Sequence, residues 1–109
     1  MKKKADDRQM SGSYILDSML TTEIRFFIMT LLAMYEEVDF SFFKKELEAS
    51  DGNLSANLTK LEEAGYVAVE KKFVQRKPQT LYRMTEAGRV ALAEYVQALR
   101  QLLGGAIGD

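Results

Sequence analysis

The sequence predicts a small domain that is mainly α-helical with one β-hairpin, an α+β fold. Apolar residues recur at helical spacing in three stretches before Gly65 and one after Thr85. Between Tyr66 and Thr85 the period drops from 3.6 to 2. With 109 residues and 47% hydrophobic content, the chain is long enough for one domain with a self-sufficient core.

The elements follow in order. Residues 1–13 are polar and end in Ser-Gly-Ser, which reads as a flexible tail. "YILDSML" (Tyr14 to Leu20) is apolar enough to form a short helix or to pack on a partner. In "TTEIRFFIMTLLAMYEEV", Thr21 or Thr22 can cap a first helix with Glu23 in its first turn. Ile24, Phe27, Ile28, Leu31, Leu32 and Tyr35 then form its apolar stripe. "VDFSFFKKELEA" predicts a shorter second helix, capped by Asp39 or Ser41, with Phe40, Phe43 and Leu47 inward. Ser50 or Asp51 starts a third helix, so only about three residues connect the two. A helix, a tight turn and a second helix make a helix-turn-helix.

The third helix, about 51–64, buries Leu54, Leu58 and Leu61 and stops at Gly65, placed for a left-handed cap. "YVAVEKKF" and "TLYRMT" read as two strands around the basic loop "VQRKPQ", a connection longer than a two-residue turn. Thr85 caps an extended last helix, with Leu92, Tyr95, Val96, Leu99, Leu102 and Leu103 on one side, and residues 104–109 read as a flexible tail. The order α-α-α-β-β-α is that of a winged helix-turn-helix domain, expected over residues 14–103.

Composition narrows the chemistry. The chain has no cysteine and no histidine, which removes disulfides, thiolate metal sites and the commonest acid–base group. No nucleophile–base pair or Gly-rich phosphate loop stands out, so neither catalytic residues, metal ligands nor a cofactor are expected. No apolar run approaches the ~20 residues that span a bilayer, and the basic N-terminus lacks the apolar segment of a secretory signal. The expectation is a cytoplasmic protein without a membrane partner.

The net charge of −1 argues against nucleic-acid binding unless charge is segregated, and it is. Lys71, Lys72, Arg76, Lys77 and Arg83 lie in a stretch without an acidic residue, whereas six acidic residues crowd Glu36 to Asp51. Cations at a hairpin tip suit phosphates. The outer face of the third helix is nearly bald. Gly52 and Ala56 allow close approach to base edges, and Asn53, Ser55, Asn57, Thr59 and Lys60 offer short donors and acceptors. Asp51 is awkward there, because its carboxylate repels phosphate unless it caps the helix or accepts from a base amine.

The last helix is more apolar than one wall of such a domain requires. Its surplus either covers the first helix and the Tyr14–Leu20 segment as a cap within one chain or pairs with a second copy. The expectation is pairing, with Leu16, Leu20, Tyr95, Leu99, Leu102 and Leu103 as the homodimer surface. A small-molecule effector at that interface is possible, but no residue pattern demands one.

"DGNLSANLTKLEEAGYVAVEKKF" followed by "RKPQTLYRMTEAGRVALAEYV" resembles the stand-alone winged-helix DNA-binding regulators of bacteria and archaea, relatives of the MarR and ArsR types. The likeness spans roughly Thr22 to Leu99. It implies a dimeric transcriptional regulator, expected to be a repressor, with the third helix in the major groove of double-stranded DNA and the wing, about 73–80, on backbone or minor groove. By position, Ser50, Asp51, Asn53, Ser55, Ala56, Asn57, Thr59 and Lys60 fall on the recognition helix, and Gln75, Arg76, Lys77 and Gln79 on the wing. Many relatives place a basic or imidazole residue where Ala56, Asn57 and Thr59 stand, which implies few direct base contacts. Metal sensing of the ArsR type needs Cys or His, and the chain has neither. The alternative function is a winged-helix module that binds protein and not DNA, motivated by the mild acidity and the apolar terminal segments.

Overall fold

The computed structural model describes residues 16–107. In chain order the elements are α1 (Glu23–Met34), β1 (Val38–Asp39), α2 (Phe40–Leu47), α3 (Asp51–Glu63), β2 (Val67–Val74), β3 (Lys77–Met84) and α4 (Glu86–Ile107). The tail expected over residues 1–13 lies outside the described residues.

Helix α1 buries Ile28, Met29 and Leu32. Phe27 and Tyr35, expected in that stripe, are exposed. The stripe is rotated toward Met29 because Phe26 packs on Tyr95 of α4, with ring centroids 5.6 Å apart. Tyr35 stands beyond the helix end in extended backbone and meets Phe42 edge-on at 5.4 Å. Thr22 occupies the N-cap position but makes no capping bond. Its hydroxyl accepts from Arg25 Nη2 at 2.7 Å instead.

Of the two possible caps for α2, Asp39 serves, accepting from the Phe42 amide at 2.8 Å. Phe43 is fully buried and packs edge-on against Tyr82 at 5.8 Å, a burial that stabilises the fold by about 2–3 kcal/mol. The helix ends on Glu48 in the left-handed region, φ 50°. Ser50 then caps α3 by accepting from the Asn53 amide at 3.1 Å. Leu54, Leu58 and Leu61 fill the core as the spacing predicts.

The exit from α3 is a Schellman cap. Gly65 adopts φ 85°, its amide bonds Glu62 O at 2.9 Å, and the Tyr66 amide bonds Leu61 O at 3.0 Å.

The hairpin differs from expectation. Strands β2 and β3 pair from Val67↔Met84 to Val74↔Lys77, leaving only Gln75 and Arg76 in the turn. Both have positive φ, 53° and 68°, the geometry that matches the twist of the flanking strands. The loop read over "VQRKPQ" is therefore a two-residue turn, and Pro78 lies in a strand opposite Phe73. Pro78 is tolerated because Val74–Lys77, closing the turn, is the hydrogen-bonded kind of pair. The next pair is then of the non-bonded kind, where a missing N–H removes no ladder bond.

A third strand was not expected either. β1 pairs antiparallel with β3 through Val38↔Tyr82 and Asp39↔Leu81, giving the sheet order β1-β3-β2. Two residues carry no readable alternation. Thr85 caps α4, accepting from the Gly88 amide at 3.0 Å while its hydroxyl donates to Gly65 O at 2.6 Å. At Gly88 the helix lies so close to the Tyr66 carbonyl that a Cβ would overlap it. α4 continues to Ile107, past the end expected at residue 103. A glycine pair lowers helix propensity but, unlike proline, keeps its N–H groups in the ladder.

The apolar N-terminal segment folds onto its own chain. A turn closed by the Leu20 amide on Asp17 O (2.9 Å) drives Leu20 fully into the core, and Leu16 packs beside it. The Tyr66 hydroxyl fastens this segment by donating to Asp17 Oδ2.

Candidate nucleic-acid interface

Leu54, Leu58 and Leu61 hold α3 from below and so fix which side faces solvent. Gly52, Asn53, Ser55, Ala56, Thr59 and Lys60 are exposed on that side. Apart from its chain neighbours and the backbone of its own helical turn, no atom of the described residues lies within 4 Å of where a Gly52 Cβ would stand, so packing against other elements does not demand glycine there. Ser50 is exposed but spends its hydroxyl oxygen on the cap. Asp51 is matched from α2 by Lys44 Nζ at 2.8 Å, which neutralises the carboxylate that looked awkward. Both partners are solvated, so the pair adds little to stability, roughly 0–1 kcal/mol.

Asn57 does not belong to the outer face. It is 7% exposed, and its amide is fully engaged. Its Oδ1 accepts from Arg25 Nη1 at 2.7 Å, and its Nδ2 donates to Asn53 O at 2.8 Å and Asn53 Oδ1 at 3.1 Å. The reason is positional: 57 stands at i+3 from Leu54, inside the buried stripe. Arg25 was missed in the sequence. Its guanidinium also donates to Met19 O at 2.7 Å, so one side chain ties the N-terminal segment and α1 to α3. Nothing in "EIRFF" marks an arginine destined for a residue 32 positions away.

On the hairpin, Gln75, Arg76 and Lys77 are exposed at the turn, with Lys71 and Lys72 behind them. Gln79, expected to project from the wing, instead donates from Nε2 to Asp39 Oδ2 at 2.8 Å and braces the strand against the start of α2. Arg83 is withdrawn from the basic stretch by Glu37 at 3.2 Å and Glu70 at 3.3 Å. Phe73, 76% exposed, and Val74 add an apolar shoulder to the basic tip that charge counting did not reveal.

The six residues expected at a dimer surface separate. Leu20 and Tyr95 belong to the chain's own core, and Leu16 and Leu99 pack against it. Leu102 is half-buried, while Leu103 is 55% exposed. Val90 and Val96 are further exposed apolar residues on α4. Among the described residues, no three acidic side chains gather so as to hold a metal ion, and no helix is long and apolar enough to cross a membrane.

A tight helix-turn-helix, a basic two-stranded hairpin and a long closing helix define a winged-helix domain. The chain belongs to the winged helix DNA-binding domain family, whose model matches residues 24–103. It is 37% identical over 79 residues to an uncharacterised protein of Methanocaldococcus jannaschii, covering 72% of this chain and 86% of that one. Its fold is similar to that of a transcriptional regulator homologue from Pyrococcus horikoshii, with TM-score 0.79 and 24% identity over 96% of this chain and 99% of the other. It is also similar to Sco3205, a MarR family transcriptional regulator from Streptomyces coelicolor in complex with DNA, with TM-score 0.62 and 21% identity over 93% and 76% of the two chains.

Proposed function

We propose that the protein is a sequence-specific, double-stranded-DNA-binding transcriptional regulator acting as a homodimer in the cytoplasm, and that it binds without catalysing a reaction. The carrying observation is the outer face of α3, where Gly52, Asn53, Ser55, Ala56, Thr59 and Lys60 are exposed and no large side chain precedes Lys60. Such a surface can approach base edges in a major groove. The exposed Lys71, Lys72, Arg76 and Lys77 on the wing suit flanking phosphates, and Asp51 is already neutralised by Lys44. Exposed Val96 and Leu103 on α4 support pairing with a second copy, which would present two recognition helices to paired half-sites. Occupying promoter DNA requires no more than this, so repression is the mode we favour.

Fluorescence-anisotropy titration against duplexes from the upstream region of the protein's own gene tests the reading. Specific binding is expected, with log K falling against log salt by roughly 0.9 per phosphate neutralised. Absent or salt-indifferent binding would leave the protein-binding alternative in its place, and equal affinity for all duplexes would overturn the sequence specificity.

A further inference from the structure

Arginine only donates hydrogen bonds. The Asn57 atom that meets Arg25 Nη1 at 2.7 Å must therefore be its oxygen, which turns its Nδ2 toward Asn53. An amide nitrogen also only donates, so the Asn53 atom 3.1 Å from it must be Oδ1. Asn53 is thus held with its oxygen toward the protein and its Nδ2 outward, in the exposed first turn of α3. A partly buried guanidinium sets the polarity of an exposed amide through one intervening side chain.

We infer that Asn53 is a specificity-determining residue that presents a donor only, and that it selects guanine at one position of each half-site. This rests on the reading of α3 as the helix in the major groove. Guanine offers adjacent acceptors, N7 and O6, at that edge, and thymine offers O4. Adenine sets an N6 amino donor beside N7. A free asparagine answers both atoms of adenine, accepting from N6 and donating to N7. Here the oxygen needed for N6 is turned away by Asn57.

Selection of bound duplexes from a randomised pool, by the full chain and two variants, tests this. The wild type is expected to demand guanine, with thymine second, at one position per half-site. Asn53→Asp keeps an inward oxygen for Asn57 but turns a second oxygen outward. The same position should then change to cytosine, whose N4 amino group donates. Asn57→Leu removes the lock, and adenine should rise there. For a single neutral hydrogen bond, the guanine and adenine preferences are expected at roughly three- to tenfold in anisotropy titrations of matched duplexes, and the cytosine preference of the Asn53→Asp carboxylate at roughly tenfold or more. Circular dichroism verifies the fold of each variant; should Asn57→Leu not fold, Asn53→Asp alone decides. A defined wild-type site whose preferences Asn53→Asp leaves unchanged, or one with adenine at the position that responds, overturns the inference and spares the DNA-binding reading. Failure of the wild type to enrich any sequence overturns both.

Discussion

Arg25 on α1 and Asn57 on α3 meet at 2.7 Å, far apart in the sequence and joined across the wall between the first and third helices. Removing the guanidinium leaves the Asn57 oxygen with little access to water. Arg25→Met should lower unfolding free energy by about 1–3 kcal/mol, read from the urea midpoint. Asn57→Leu, which removes the acceptor, should cost less in the Arg25→Met background than in the wild type, by about 1 kcal/mol. Additive losses would show that the two groups do not depend on each other.

The turn of the wing contains two side chains in the left-handed region. Arg76→Gly relieves one of them and should raise stability by about 0.5–1 kcal/mol. The same change removes a cation from the tip. DNA affinity should fall uniformly across sequences, with the salt slope smaller by about one per protomer. Stability and binding moving in opposite directions is the distinguishing result.

Gly88 has no room for a methyl group against the Tyr66 carbonyl. Gly88→Ala should push α4 away from the exit of α3 and cost about 2 kcal/mol or more, measured by thermal or urea unfolding. Gly52→Ala, at an open site, should leave stability unchanged or raise it while weakening DNA binding.

The Tyr66 hydroxyl is pushed up to about 12, first by its hydrogen bond to Asp17, then by burial and by the charges of Asp17 and Glu94. The folded value lies above the ordinary value of 10.0, so the contribution to stability is complete below pH 10 and is lost as pH rises toward 12. Burial raises Tyr82 in the same direction. Tyr66→Phe should therefore flatten the loss of stability in that alkaline window, followed by urea unfolding at stepped pH. An unchanged slope would mean that Asp17 does not hold the phenol.

On α4, Leu103 and Val96 are exposed while Tyr95 is committed to the core. The proposed pairing predicts a wild-type dimer in light scattering that Leu103→Glu with Val96→Glu converts to a monomer, with the helical signal intact; a monomeric wild type would overturn the pairing. Tyr95→Ala should instead unfold the domain, since it removes a ring packed on Phe26.

The sequence by itself determined the helices, the cap at Thr85, the stop at Gly65 and the segregation of charge, and it narrowed the cap of α3 to Ser50 or Asp51. Each of these depends on neighbours within about four positions, where periodicity and capping act. The bald face of α3 was legible for the same reason. Only the tertiary structure decided that Asn57 turns inward, that Gln79 serves Asp39, and that Arg83 answers Glu37 and Glu70. A polar side chain chooses its partner by proximity in space, and spacing along one helix cannot say what the facing element offers. β1 was invisible because two residues become a strand only when Leu81 and Tyr82 of β3 arrive to pair with them. The polarity of Asn53 has the same origin, since an amide has no preferred direction until a donor-only group such as Arg25, anchored on another helix, imposes one.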